Sequence, residues 1–441
     1  MSIQSPANPR IEMVPRASLK PNPRNARKHS DKQLHQIQAS IETFGWLVPI
    51  VIDDENMIAA GHGRWEAAGM MGLKEVPVIR TDFITDADRR AFALAENRIA
   101  ELSSWDEDLL ADELNDLFED GYNFEVTGFT TADLDFALPD EEVQDEPELV
   151  ELPAKNAQAV SKPGDLWRIG PHRLYCGNSR EVGSYEALLE GDLADMVFAD
   201  PPFNVPIEGH VSGLGQNKHR EFAEASGEMT SPEFTTFLRT TFRNCVRFSK
   251  DGSIHYQCMD WRHVREILDA ADGVYCSFKQ LLVWVKSNGG MGTFYRSRHE
   301  LIFVFKSGTK KHINNFGLGD TGRYRTNVLE YAGANSFRKG RKQDLAAHST
   351  VKPTPLVADA ILDCSNRGDL ILDPFSGSGT TLIAAHKTGR RGAAIEIDTL
   401  YCDTTLRRLM AASGLDAVRD DGRLFVDLET ELAEGGEVDR G

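Results

Sequence analysis

Two short stretches, far apart in the chain, carry residue types that could do chemistry together. One is Ala199-Asp200-Pro201-Pro202-Phe203, after the apolar run Met196-Val197-Phe198. The other is Leu372-Asp373-Pro374-Phe375-Ser376-Gly377-Ser378-Gly379-Thr380-Thr381, which closes the run Leu370-Ile371-Leu372 and opens onto the helical pattern Leu382-Ile383-Ala384-Ala385-His386. Apolar runs bounded by turn residues read as buried strands, so each stretch stands where a strand ends. A strand, a glycine turn and a helix N-terminus cradle a ligand with backbone N–H groups, and glycine lets the main chain come close to it. This turn lacks the lysine of a P-loop and the spacing of the dinucleotide fingerprint. A nucleoside triphosphate or NAD is therefore not its natural ligand.

Taken together, Asp-Pro-Pro-Phe and Asp-Pro-Phe-Ser-Gly-Ser-Gly-Thr resemble the amino-methyltransferases of DNA, which use S-adenosylmethionine. Here the catalytic motif precedes the cofactor motif, as in the permuted beta group of that family. The resemblance implies catalytic roles for Asp200, Pro201, Pro202 and Phe203. It implies cofactor contacts by Asp373, Pro374, Phe375, Gly377, Ser378, Gly379 and Thr380, and by Lys352 and Pro353 of His348-Ser349-Thr350-Val351-Lys352-Pro353, a motif expected over the methionine part. Glu396, ending the strand-like Gly392-Ala393-Ala394-Ile395-Glu396-Ile397-Asp398, is the expected partner of the ribose hydroxyls, with Asp398 in support.

The chemistry accounts for the residue types. An exocyclic amine such as adenine N6 is a poor nucleophile because its lone pair is delocalised into the ring. Acceptors beside its N–H bonds, the Asp200 carboxylate and the Pro201 carbonyl, would draw the nitrogen toward a tetrahedral, nucleophilic state. Successive prolines fix the turn and remove backbone donors, and Phe203 offers a face for stacking a base turned out of the duplex. A sulfonium methyl donor needs in-line placement more than a covalent intermediate. Methylation of a cytosine ring carbon would call for a nucleophilic cysteine, normally in a Pro-Cys pair, and the chain has no such dipeptide. The aspartate heading the first motif favours adenine N6 over cytosine N4, which more often carries serine there.

Composition narrows the partners. A net charge of −19 argues against indiscriminate nucleic-acid binding by the whole surface. Local patches run the other way: from Arg296 to Lys352 there are twelve Lys or Arg against Glu300, Asp320, Glu330 and Asp344. By its position between the fifth strand-like run and the next motif, the stretch 306–347 resembles the target recognition region of beta-group enzymes, and its Arg and Asn could reach base edges and its Lys phosphates. Arg10, Arg16, Lys20, Arg24, Arg27 and Lys28 form a second basic cluster. The six cysteines show no zinc spacing, so no metal is expected and they read as reduced thiols of a cytoplasmic protein. No apolar run reaches the length of a membrane span.

The elements that must position these residues follow in order. Residues 10–85 read as a small α/β unit with a helix through Leu34, Ile37, Ile41 and Phe44, capped near Ser30 or Asp31 and ended by Gly45. Two strands, Pro49–Ile52 and Met57–Ala60, a helix from Trp65 and a strand at 76–79 complete it. The unit resembles the ParB/sulfiredoxin-like N-terminal domain through Asn25-Ala26-Arg27, Gly45-Trp46-Leu47-Val48-Pro49-Ile50, Ala60-Gly61-His62-Gly63-Arg64-Trp65 and Ala95-Glu96-Asn97-Arg98. In ParB-like proteins that glycine box cradles nucleotide phosphates; here Gly-His-Gly-Arg replaces the usual acid and consecutive arginines, which favours DNA contact or scaffolding over hydrolysis.

Residues 86–138 read as a helical extension with a stripe of Leu109, Leu110, Leu114 and Leu117, and 139–162 as an acidic linker. From 163 to 412, strand and helix signals alternate, implying a Rossmann-like, mostly parallel sheet with helices on both faces, an α/β fold. Residues 413–441 read as an acidic tail that ends without order. The reading as a whole is an S-adenosylmethionine-dependent DNA methyltransferase acting on a flipped base, with double-stranded DNA as partner, a nucleotide at the ParB-like domain and a homodimer left open by the resemblance. A cytosine N4 enzyme and a ParB-like regulator with an inactive catalytic domain are the alternatives, and intact motifs weigh against the second.

Overall fold

The computed structural model describes residues 10–82, 85–122, 126–129, 158–205, 225–286, 295–316, 325–331 and 352–438. They fall into two compact units, Met1–Leu138 and Pro139–Gly441.

In the first unit β1 (Ile11–Pro15), α1 (Asp31–Phe44), β2 (Ile50–Ile52), β3 (Ile58–Ala60), α2 (His62–Met70) and β4 (Glu75–Arg80) precede α3 (Asp86–Glu101) and α4 (Glu107–Glu119). The sheet runs β1-β4-β2-β3, with β2 and β4 parallel. Ser30 caps α1 by accepting the Gln33 N–H at 3.2 Å, and Gly45 ends it at a φ of 76°. Leu19, Ile50, Ile52, Ile58, Ala68, Val76 and Val78 form the core.

Three features differ from the sequence expectation. β1 is an edge strand whose residues are almost all exposed, so no alternation of polar and apolar residues announces it. Helix α2 begins at His62, three residues before Trp65, because Gly61 takes a left-handed φ of 96° at the N-cap and turns the strand straight into the helix. In α4, Leu114 is buried but Leu109 is exposed, so the leucine stripe is only partly core.

The second unit opens with the hairpin β5 (Leu166–Ile169) and β6 (His172–Cys176), then α5 (Val182–Leu189) and β7 (Ala194–Ala199). Next come α6 (Ser231–Arg247), β8 (Ser249–Met259), α7 (Val264–Ala271), β9 (Ser277–Val285), β10 (His299–Lys306) and β11 (Val328–Glu330). The chain ends with α8 (Thr354–Cys364), β12 (Leu370–Asp373), α9 (Thr380–Lys387), β13 (Arg391–Glu396), α10 (Thr399–Ser413), β14 (Ala417–Arg419) and α11 (Phe425–Val438). One sheet takes the order β11-β9-β10-β8-β7-β12-β13-β6-β5-β14.

Its five central strands, β8-β7-β12-β13-β6, are mutually parallel. Such strands are covered on both faces, which explains why Met196-Val197-Phe198 reads as a continuous apolar run. Met196 and Phe198 pack on one side with Leu356, Val357 and Ile361 of α8; Val197 and Ala199 pack on the other with Tyr185, Leu188 and Leu189 of α5.

The stretch after Gly414, acidic in composition, adds β14 to the sheet and packs Phe425 edge-on against Trp167 at 5.5 Å between ring centroids; its end is helical through Val438 rather than without order. Of the proposed recognition region, residues 317–324 and 332–347 lie outside the described residues. The described part contributes β11, a short strand parallel to β9. No helix among the described residues is long and apolar enough to cross a membrane.

Candidate active site

The two sequence motifs meet at one crevice. β7 and β12 are neighbours in register, Met196 opposite Ile371 and Val197 opposite Leu372, so the turns bearing Asp200 and Asp373 leave the same edge of the sheet. From there the chain after β7 crosses to β8, and the chain after β12 crosses the other way to β13. The turns diverge at this switch point and leave a cleft at the strand carboxyl ends, the usual ligand position in an open α/β sheet.

On the β12 side the glycine turn is tied down from within. Asp373 is buried and accepts the Phe375 N–H at 2.9 Å. Ser376 N–H donates to the Ile395 carbonyl at 2.9 Å, and Gly379 N–H to the Ser376 carbonyl at 2.8 Å. Gly379 caps α9 with a φ of 85°, and a Cβ there would stand 2.7 Å from Thr405 Cγ2; glycine is required on both counts. Pro374, Ser378 and Thr380 are buried around it, and Phe375 leans on Phe237 at 5.9 Å.

Glu396, at the end of β13, faces this turn. Its Oε2 accepts the Gly377 N–H at 2.7 Å and its Oε1 the Asp398 N–H at 2.8 Å. Burial pushes its carboxyl up to about 7 despite those two donors. Burial likewise pushes Asp373 up to about 7, against the Thr381 hydroxyl and the Phe375 N–H. Asp398 caps α10 by accepting the Leu400 N–H at 2.9 Å.

The β7 side is built from charges. Asp200 Oδ2 accepts from Lys352 Nζ at 2.6 Å, while Asp200 Oδ1 is buried with no hydrogen-bond partner among the described residues. Lys352 also pairs with Glu300, whose other oxygen accepts from Lys286 Nζ at 2.8 Å. Lys352 Nζ lies 5.3 Å from the Phe203 ring centroid and 5.9 Å from that of Trp284; Lys286 Nζ lies 4.6 Å from the latter. Burial would raise Glu300, but the two ammoniums outweigh it and bring the carboxyl down to about 2. Burial raises Asp200 above the usual carboxylate range, opposed by Lys352 and assisted by Glu300.

Asp200, Cys258 and Glu300 offer donors within 4.8 Å of one another, a spacing a cation could use. The Lys352 ammonium already stands among them, so the cluster carries its own cation. Pro201 is buried and Pro202 partly so. Asn204 then pins the turn, accepting the N–H groups of Gly227 at 3.1 Å and Met229 at 3.2 Å.

The structure thus gathers Asp200, Pro201, Pro202, Phe203 and Lys352 on one side of the cleft, and Asp373, Pro374, Phe375, Gly377, Ser378, Gly379, Thr380 and Glu396 on the other. Pro353 is the N-cap of α8. Glu300, Lys286, Trp284 and Asn204 went unforeseen. β10 is antiparallel to β8, and this alone carries Glu300, near its start, to the carboxyl edge of β7. Trp284 is paired opposite Glu300 on β9. In the first unit, His62 Nε2 accepts the Asn22 N–H at 3.1 Å, and burial lowers its pKa.

A family model described as ParB N-terminal domain matches residues 2–98, one described as ParB-methyltransferase HTH domain matches 108–163, and one described as DNA methylase, of the N6/N4 type, matches 194–407. The HTH match overlaps the stretches read from sequence as a helical extension and an acidic linker. The ParB-like nuclease domain-containing protein YnaK of Escherichia coli (strain K12) is 43% identical over 81 residues, 18% of this chain and 93% of that protein. The Type II methyltransferase M.HpaI of Haemophilus parainfluenzae is 27% identical over 263 residues, 56% of this chain and 77% of that protein. Among solved structures, the M1.HpyAVI–SAM complex aligns over 54% of this chain and 98% of that one at 20% identity, with a TM-score of 0.39. The chain belongs to the ParB-like family through its N-terminal domain and to the N6/N4 DNA methylases through its C-terminal one.

Proposed function

We propose that the chain transfers the methyl group of S-adenosylmethionine to the exocyclic N6 amine of adenine in double-stranded DNA, with the base turned out into the β7–β12 cleft. The observation that carries this is Asp200 Oδ1: a buried carboxylate oxygen, without a partner among the described residues, at a strand end facing the glycine turn. Buried acceptors left open in this way await a donor, and an amine N–H is the donor the flanking Pro201 carbonyl and Phe203 ring suit.

The β12 side fits the methyl donor. Glu396 keeps lone pairs free on two oxygens already oriented by backbone N–H groups, a match for a ribose diol, and the glycine turn leaves no Cβ between backbone and ligand. When bound, S-adenosylmethionine supplies an electrophilic methyl carbon on a sulfonium. The amine nitrogen forms its bond to that carbon as the carbon–sulfur bond breaks and the pair returns to sulfur. Positive charge thus passes to the nitrogen, whose extra proton then leaves to water. Asp200 Oδ1 and the Pro201 carbonyl accept from the amine and stabilise that charge where it develops. Lys352 and Pro353 lie at the α8 end of the same cleft, and the basic stretch from Arg296 to Lys342 supplies contacts for the duplex.

The test is methylome sequencing of DNA from a methylation-free host expressing the wild-type chain or Asp200→Ala. N6-methyladenine in one sequence context, absent with the variant, is expected. Methylated cytosine N4 would keep the mechanism and replace the base; DNA without any mark would overturn the reading.

A further inference from the structure

Asp200 does not face its substrate alone. Lys352 stands between two carboxylates, with Asp200 on one side and Glu300 on the other, and Lys286 takes the oxygen of Glu300 that Lys352 leaves free. Two ammoniums and two carboxylates alternate in a neutral chain, Asp200–Lys352–Glu300–Lys286, against Trp284 and Phe203. Glu300 and Lys352 are each less than a tenth exposed. The other titratable groups facing Asp200 are Cys258 on β8, whose thiol burial keeps neutral, and Asp373 at the end of β12.

A neutral chain of this kind costs desolvation and contributes little net stability on its own, while removing one member leaves an uncompensated buried charge. Its consequence for Asp200 is geometric. A lysine held from two sides cannot swing across the carboxylate, so it occupies Oδ2 and leaves Oδ1 open. Without Glu300 the same ammonium would have Asp200 as its one carboxylate partner, and the site would carry a net positive charge where the reaction places another.

We infer that Glu300 is a positioning residue for methyl transfer, holding Lys352 on Asp200 Oδ2 so that the other Asp200 oxygen stays open to the amine. This rests on the role proposed for Asp200. Lys286 has the complementary part, holding Glu300 in place from the outer side.

Opposite charges give opposite signatures, and those test the inference. The full-length chain, Glu300→Gln, Lys286→Met and Asp200→Ala are compared by single-turnover transfer of a tritiated methyl group to DNA from a methylation-free host across pH, together with S-adenosylmethionine affinity and thermal melting. Glu300→Gln is expected to slow transfer about 10²-fold, the cost of a misplaced reacting group, with cofactor affinity changed less than about twofold. Its acid limb should move to lower pH by on the order of one unit, because a negative neighbour of Asp200 is gone. Lys286→Met should move the acid limb to higher pH.

A wild-type rate and pH profile in Glu300→Gln would overturn the inference, as would a slowed rate with both acid limbs unmoved, which is what packing alone would give. Should Glu300→Gln melt below the assay temperature, Lys286→Met decides by the direction of its shift, and no shift rejects the inference. An active Asp200→Ala would instead defeat the underlying reading, a result distinguishable from the rest.

Discussion

Asp200 and Asp373 end neighbouring parallel strands at the same edge of one sheet, each followed by proline, and their surroundings are nearly opposite. Asp373 is satisfied by its own loop, through the Phe375 N–H and the Thr381 hydroxyl, and no cation pairs with it among the described residues. Asp200 is neutralised by a side chain from a distant part of the sequence, and one of its oxygens is left open. A carboxylate consumed by its own turn shapes that turn. One balanced by a remote lysine and left with a free acceptor is built to act on something that arrives. The fold supplies the same position twice, and the partners decide what each is for.

Exchanging the test between the two sides gives the largest effect. Asp200→Ala should reduce single-turnover transfer by about 10³-fold or more, the scale of losing a group aimed at developing charge, while S-adenosylmethionine affinity stays within about twofold. Equilibrium dialysis with labelled cofactor beside the transfer assay checks both numbers. Loss of cofactor binding in Asp200→Ala with the chemistry otherwise intact would reverse the division of labour drawn here.

The β12 side should show the converse, and less steeply. Glu396→Ala removes the proposed ribose acceptors and leaves the Gly377 and Asp398 N–H groups without their carboxylate. Two charge-assisted hydrogen bonds of about 1.5 kcal/mol each correspond to about a 10²-fold weaker cofactor affinity. At saturating cofactor most of the transfer rate should return. A rate that stays low at saturation would mean that Glu396 serves the chemical step and that the two sides are not separate.

The comparison also shows what a sequence can reveal. Asp200, Asp373, the glycine turn and Glu396 were legible because strand ends and turns are local: an apolar run, then proline or glycine, fixes where the chain bends and what it leaves exposed. The helix caps Ser30 and Gly45 were legible for the same reason. Glu300, Trp284 and Lys286 were not. Glu300 lies in Arg298-His299-Glu300-Leu301-Ile302-Phe303, which reads as the charged lead-in to a buried strand. Its place beside Asp200 depends on β10 running against β8, a pairing set by the whole sheet. Edge strand β1 was hidden because exposed residues carry no alternation, and the C-terminal stretch because its acidic composition masked Phe425, whose burial depends on Trp167 from 258 positions earlier.

The smallest effect lies in stability, and its sign separates Glu396 from Glu300. Glu396 has an ordinary value of 4.5 and is pushed to about 7 by burial. Between those values the folded chain holds a proton that the unfolded chain has lost, so stability from this group is full below pH 4.5 and declines as pH rises to 7. At 1.36 kcal/mol per unit the decline is at most about 3 kcal/mol. Asp373, also raised to about 7, contributes in the same direction; Glu300, held down at about 2, works oppositely and at lower pH, its stability being lost as pH falls below its ordinary range. Glu396→Gln, which cannot ionise, should therefore lose less melting temperature than the wild type between pH 5 and pH 8. Thermal melts across that range read the difference directly, and parallel curves would reject it. Saturating S-adenosylmethionine sharpens the test, because ribose hydroxyls donating to Glu396 favour its ionised form and should flatten the wild-type curve toward that of the variant, whereas a donor bound away from Glu396 would raise both curves and leave their slopes apart.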